Sequence, residues 1–396
     1  MKVAIAIDSF KGSLSSVAAG NAAAEGVRRV FPDAECVVRP LADGGEGTVD
    51  ALVAGLGGEL KRVTVTGPAG KPANAKYGLL SDGTAVMEMA EAEYGVLADG
   101  TWVFEMAQAS GLPMVPPEKR DPRNTTSYGV GELIARALSE GARHILIGIG
   151  GSATNDGGMG LLAALGARFA GADGAALPPV GGSLAAVESI DLSSLDPRAL
   201  KADITVISDV SNPLTGPTGA TYIYGPQKGA TPQIADELEA GMVHYAQKFA
   251  ALLGRSIADF PGAGAAGGLG AALKGVLGAR LRSGIDAVLD AVGFDALLDG
   301  ADLVVTGEGR IDRQTAEFGK VPAGVLNRAT RRGVPVAILA GCVGAGAEAI
   351  YDLGPCVILP TVSGPTTLEQ AMAGAADNVA ATADRLFRMW KLAGNK

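Results

Sequence analysis

Short apolar runs, each closed by glycine or by a polar loop and followed by a helical pattern, recur along the chain. The first is VAIAID at 3–8, with the loop SFKGS at 9–13 behind it. Beyond that loop Leu14, Val17, Ala24, Val27 and Phe31 fall on one helical face, which predicts a helix to about Val30 that Pro32 ends. A second run, CVVRP at 36–40, leads through LADGGEGT at 41–48 into a helix ending near Leu56. The last third repeats the design with DLVVTGEG at 302–309, a helix over about 322–332, PVAILAG at 335–341, CVILP at 356–360 and a long helix from Thr367. Such alternation predicts an α/β fold with a mainly parallel sheet.

Between these parts the texture changes. Residues 63–92 read as short β segments joined by turns, which places the start of a second domain near residue 63. The expected organisation is one α/β domain from 1–62 plus 287–396, a second α/β domain over 63–286, and an active site in the cleft between them.

A length of 396 residues is enough for two such cores. The net charge of −9, without a Lys/Arg run and with 5% aromatic residues, argues against nucleic acid. Mean hydropathy is +0.25, but 58 glycines and alanine-rich segments account for it, and no apolar run of about 18 residues suggests a membrane span. Cys36, Cys342 and Cys356 form no CxxC pair, and Asp8 interrupts the first apolar run before it could serve as a signal sequence, so a reducing, cytoplasmic setting is expected. The partner is then a small molecule. If it carries phosphates, the acidic chain must bind it through local cations, a divalent metal or backbone N–H groups.

Several strand ends carry suitable groups. HILIGIG at 144–150 opens into GSATNDGGMG at 151–160, where Gly150 and Gly151 free the backbone and Ser152, Thr154, Asn155 and Asp156 add polar groups. The loop lacks the lysine of a Walker A motif, and a plain tight turn is the competing reading. Asp8 and Lys11 follow the first strand, where open α/β sheets bind ligands. TGEGRIDRQTAEFGK at 306–320 gathers Gly307, Glu308, Arg310, Asp312, Gln314 and Lys320 in one predicted loop, as a metal–nucleotide site requires. Asp209 ends the strand DITVIS, either as a magnesium ligand or as a turn cap. Arg120 and Arg123 precede a helix that Thr126 or Ser127 could cap, and either arginine could hold a carboxylate. PGAGAAGGLG at 261–270 reads as a glycine cluster entering a helix, with close packing as the plainer explanation. His144 and His244 are read as structural.

Taken together, DSFKGS (8–13), PLADGGEGT (40–48), GIGGSATNDGGMG (148–160), SDVSNPL (208–214), GPQKGAT (225–231), PGAGAAGGLG (261–270) and TGEGRIDRQT (306–315) resemble the type I glycerate kinase family across nearly the whole chain. The resemblance implies a discontinuous flavodoxin-like parallel-sheet domain and a middle domain of restriction-endonuclease-like type. It also implies ATP, Mg2+ and D-glycerate as reactants and 2-phosphoglycerate as the usual product, in organic-acid catabolism linked to glyoxylate, glucarate or serine. On that footing the expected catalytic groups are Asp43, Lys11 and Asp156, with Asp43 preferred as the base and Asp156 next. Asp8, Ser152, Thr154, Asn155, Arg120 and Arg123 are expected at the substrate. The 306–320 segment with Gly150 and Gly151 is expected at the nucleotide, and Asp209 with Glu308 at the metal. A monomer or homodimer is expected. Rival readings are a kinase for another small hydroxy acid and a non-catalytic binding protein.

Overall fold

The computed structural model describes residues 1–42, 47–70, 89–317 and 320–394. Its strands run in chain order as β1 (Lys2–Ile5), β2 (Glu35–Val38), β3 (Gly58–Thr66), β4 (Met89–Leu97), β5 (Trp102–Glu105), β6 (His144–Gly148) and β7 (Arg168–Ala170). They continue as β8 (Ser189–Asp191), β9 (Asp203–Ile207), β10 (Arg280–Arg282), β11 (Leu303–Ile311), β12 (Val336–Val343) and β13 (Cys356–Pro360). The chain divides into two compact units, Met1–Gly58 with Ser283–Lys396, and Glu59–Arg282.

The first unit holds a five-stranded sheet in the order β13-β12-β11-β1-β2 with every neighbouring pair parallel. Counted within the unit this is the 2-1-3-4-5 flavodoxin-like order, which changes direction between β1 and β11. Val3 to Ile5, Val304, Val305 and Ala337 to Ala340 have no exposed surface, because helices cover both faces. The helix Ser16–Val30 begins where the Ser15 side chain accepts from the Ala18 N–H at 3.2 Å. It packs on the last helix, Ala375–Gly394, and Gly26 sets their separation, since a methyl there would stand 2.6 Å from the Ala383 Cβ. Phe31 and Phe387 meet edge to face at 6.3 Å beside this contact.

One expectation fails in this unit. The segment after Thr306 is not a loop at first, because β11 runs on to Ile311 and pairs with β12 through Arg310↔Cys342 and Ile311↔Val343. Gly307 permits this, as a side chain there would strike the Leu339 backbone of the neighbouring strand.

The second unit holds a six-stranded sheet, β10-β9-β6-β5-β4-β3, parallel from β10 to β5 and antiparallel between β5 and β4. Its core gathers Phe104, Ile134, Ile147, Tyr245 and Phe249, all fully buried. The helix Tyr128–Ser139 contributes Val130, Leu133, Ile134, Ala137 and Leu138 to it, and Pro232–Leu253, capped by the Thr231 side chain, contributes Met242, Tyr245, Ala246 and Phe249. The 261–270 cluster is no smooth helix start. Ala266, Gly267 and Gly268 adopt left-handed backbone (φ 52°, 66° and 95°), and Gly267 accepts the Gly157 N–H at 3.0 Å. A methyl on Gly268 would stand 2.6 Å from the Gly157 Cα, so this cluster is the close-packed back of the 151–160 loop.

Candidate active site

In the first unit the carboxyl ends of β1 and β11 lie at the point where the strand order reverses, the position at which open α/β sheets bind ligands. A cavity of about 470 Å³ opens there. Ser9, Lys11, Ser13, Glu308, Arg310 and Lys320 line its polar part. Phe10, Val362, Leu368 and Met372 form an apolar wall. Three cations beside an apolar wall suit a ligand that is anionic at one end and apolar at the other.

Local hydrogen bonds fix the acidic groups. Asp8 donates its N–H to the Gly307 carbonyl at 3.0 Å, so it stands next to Glu308 across the two strands. The Asp8 carboxylate accepts the Ser9 N–H at 2.6 Å, and the buried Glu308 accepts the Thr315 hydroxyl at 2.6 Å. Arg310 pairs with Asp312 at 3.0 Å, while the other Asp312 oxygen accepts the Gln314 N–H at 3.0 Å. Asp312 and Gln314 thus shape the turn that carries Arg310. Among the described residues no group of three or more His, Cys, Asp and Glu side chains converges on a metal position. Magnesium needs only one or two carboxylates when phosphate and water complete its octahedron, and Glu308 with Asp8 meets that demand.

In the second unit β6 delivers the 149–158 loop. Asp156 is fully buried within it and accepts from the Ser127 N–H (2.7 Å), the Ser127 hydroxyl (2.8 Å), the Gly158 N–H (3.0 Å) and the Gly160 N–H (3.2 Å). Burial pushes its carboxyl up, and these four donors oppose the shift. Asp156 has no exposed surface and its oxygens take four donors from Ser127, Gly158 and Gly160, so the carboxylate holds the loop, an arrangement that argues against the expected role as a base. The N–H groups at the start of Met159–Ala164 likewise serve Asp156 and Ser127 and offer no positive end to a ligand. Ser127 begins the helix Tyr128–Ser139 without capping it by its side chain, which bonds to Asp156 and Leu161 across the fold.

The arginines are engaged inside this unit. Arg123 is gripped by both oxygens of Asp121 and by Glu237 at 3.4 Å. Arg120 donates to the carbonyls of Val115 (3.2 Å) and Gln227 (3.3 Å). Neither guanidinium presents the bidentate fork that a carboxylate clamp needs, and both tie loops together. Thr154 and Asn155 have no exposed surface, and the Asn155 amide donates to Thr221 at 3.2 Å. Gly150 and Gly151 lead into Ser152, and the Gly151 carbonyl accepts the Leu112 N–H at 2.8 Å. Asp209 follows β9 in this unit, whereas Glu308 belongs to the first. His144 meets Asp203 at 3.2 Å and His244 bonds to the Val187 carbonyl at 2.7 Å, and among the described residues neither joins a group of three or more His, Cys, Asp and Glu that could hold a metal. Asp43 lies outside the described residues.

One group escaped the sequence reading. Lys228, only 2% exposed, donates to the Ser152 Oγ at 2.9 Å and the Thr154 carbonyl at 2.7 Å. Burial lowers its pKa to about 7, against a smaller upward pull from Asp156. GPQKGAT holds it in sequence, but a lysine in a polar turn looks like any surface lysine.

No helix among the described residues is long and apolar enough to cross a membrane. A family model described as the glycerate kinase family matches residues 3–93 and 90–391. A protein named glycerate kinase from Bacillus cereus is 44% identical over all of both chains. Glycerate 2-kinase from Escherichia coli K12 is 46% identical over 96% of this chain and 95% of its own. A crystal structure from Salmonella typhimurium LT2, described as a glycerate kinase 2, superposes with a TM-score of 0.88 at 44% identity over all of both chains.

Proposed function

Because the chain belongs to the glycerate kinase family, we propose that it transfers the terminal phosphoryl group of ATP to D-glycerate and releases 2-phosphoglycerate. The observation that carries this reading is the cavity where β1 and β11 end, with Lys11, Arg310 and Lys320 among its lining and an apolar wall beside them. Phosphoryl transfer is catalysed mainly by positioning and by charge stabilisation. The three cations bind the phosphate chain, and Phe10, Leu368 and Met372 cover the adenine ring. Glu308, with Asp8 beside it, would hold magnesium, which when bound neutralises charge on the phosphate oxygens. The 150–156 loop orients glycerate.

Asp43 takes the proton of the attacking hydroxyl. An Asp43→Asn protein is expected to lose about 10²- to 10⁴-fold in kcat. Near-normal turnover in the folded variant would remove Asp43 from this role.

Phosphorus NMR of the product formed from ATP, magnesium and D-glycerate, against a glycerate-free control, tests activity and regiochemistry together. A 2-phosphoglycerate resonance is expected, as the name of the Escherichia coli relative suggests. A 3-phosphoglycerate resonance keeps the kinase and overturns the position of transfer. Absence of turnover from folded protein overturns D-glycerate as the substrate.

A further inference from the structure

Lys228 is a buried cation held only by neutral acceptors. Among the described residues its hydrogen bonds go to a hydroxyl and a carbonyl, and it forms no ion pair. Asp156 acts on it through space alone, since the Asp156 oxygens are taken by Ser127, Gly158 and Gly160. Enclosing an ammonium in this way is unfavourable, which lowers its pKa, and an anion close by would offset that cost. The turn that carries it is built to stay put: Gly229 closes it at φ 97°, and Arg120 holds the Gln227 carbonyl.

The consequence reaches Ser152. Its Oγ accepts from Lys228, so its own O–H is left to donate, and among the described residues that O–H meets no acceptor. Ser152 keeps 7% of its surface open while Thr154 behind it keeps none. A hydroxyl backed by an ammonium is a stronger donor than a hydroxyl alone.

We propose that Lys228 is a positioning residue for the carboxylate of the hydroxy acid, its ammonium committing the Ser152 hydroxyl to donate to that carboxylate. This rests on the kinase reading above, and it places substrate recognition on a lysine outside the glycine loop itself. The charged groups around Lys228 are Asp156 and Arg120, the latter bonded one residue away.

Steady-state kinetics of the full-length protein with D-glycerate and ATP varied in turn test the assignment. Lys228→Met and Ser152→Ala should each raise KM for D-glycerate about 10- to 100-fold and leave KM for ATP within about 2-fold. The double variant should be no worse than either single one, because the lysine acts through the serine. The wild-type KM for D-glycerate should rise above about pH 7 as the ammonium is lost, and Lys228→Met should lack that rise. An unchanged KM for D-glycerate in either folded variant overturns the proposal, as does an equal rise in both KM values. If Lys228→Met fails to fold, Ser152→Ala, which leaves the ammonium in place, decides alone. If the wild type phosphorylates another hydroxy acid, the glycerate reading fails and the same KM split is read on that acid. A wild type that phosphorylates no hydroxy acid overturns both.

Discussion

Thr315 donates its hydroxyl to Glu308 across 2.6 Å, and both residues are buried in the first unit. The bond runs from the short helix Arg313–Glu317 back to β11, so it aims a carboxylate that lines the cavity.

Thr315→Val keeps the shape and removes this donor. Groups that orient a metal-binding carboxylate typically change metal affinity about 10- to 100-fold. The magnesium concentration for half-maximal activity is expected to rise by about 10-fold, with KM for D-glycerate unmoved. A magnesium titration at fixed ATP reads this, and an unchanged midpoint would take Glu308 out of the metal site.

Gly26→Ala introduces a methyl 2.6 Å from the Ala383 Cβ and 2.9 Å from the Asp384 nitrogen. Overpacking of this kind costs about 1–3 kcal/mol, and the better helix propensity of alanine returns up to about 1 kcal/mol. A lower urea midpoint by circular dichroism is expected, with kcat preserved. A raised midpoint would mean that the two helices separate freely.

Asp156→Asn turns an acceptor of four hydrogen bonds into a group that must donate. A loss of about 2–4 kcal/mol in unfolding free energy is expected, since bonds to a buried charge are the strong ones. The base role predicts the opposite pattern, a large fall in kcat at unchanged stability. Denaturant titration beside the kinetics separates the two.

Lys228 titrates near 7 in the fold and at 10.5 when free. As pH falls from about 10.5 to about 7, the unfolded chain takes up a proton that the folded chain refuses, so stability declines across that window and is flat below it. Wild-type protein without ligand should therefore gain stability relative to Lys228→Met as pH rises from about 7 to about 10. Parallel unfolding curves across that range would place the ammonium in a more hospitable setting.

Strands β1, β2, β12 and β13 are legible because each is a compact apolar run closed by a breaker. The end of β11 is not legible, since Gly307 and Gly309 look like loop residues and only the closeness of Leu339 makes glycine the strand residue at 307. Asp121 beside Arg123 is a signal that sequence reading can use, because an acidic residue two positions away invites a chelate within the loop. The burial of Lys228 leaves no such trace. It depends on Ser152 and Thr154, more than 70 residues earlier in the chain.

The pairing of β1 with β11 joins Ile5 to Val305, and this separation governs how the protein emerges from the ribosome. At about 5–20 residues per second, roughly 15–60 s pass between synthesis of the two strands. During that interval β1 has β2 on one side and an open hydrogen-bonding edge on the other. The middle segment is complete before this edge is covered, so the nascent chain must carry a half-built sheet while its interior unit folds.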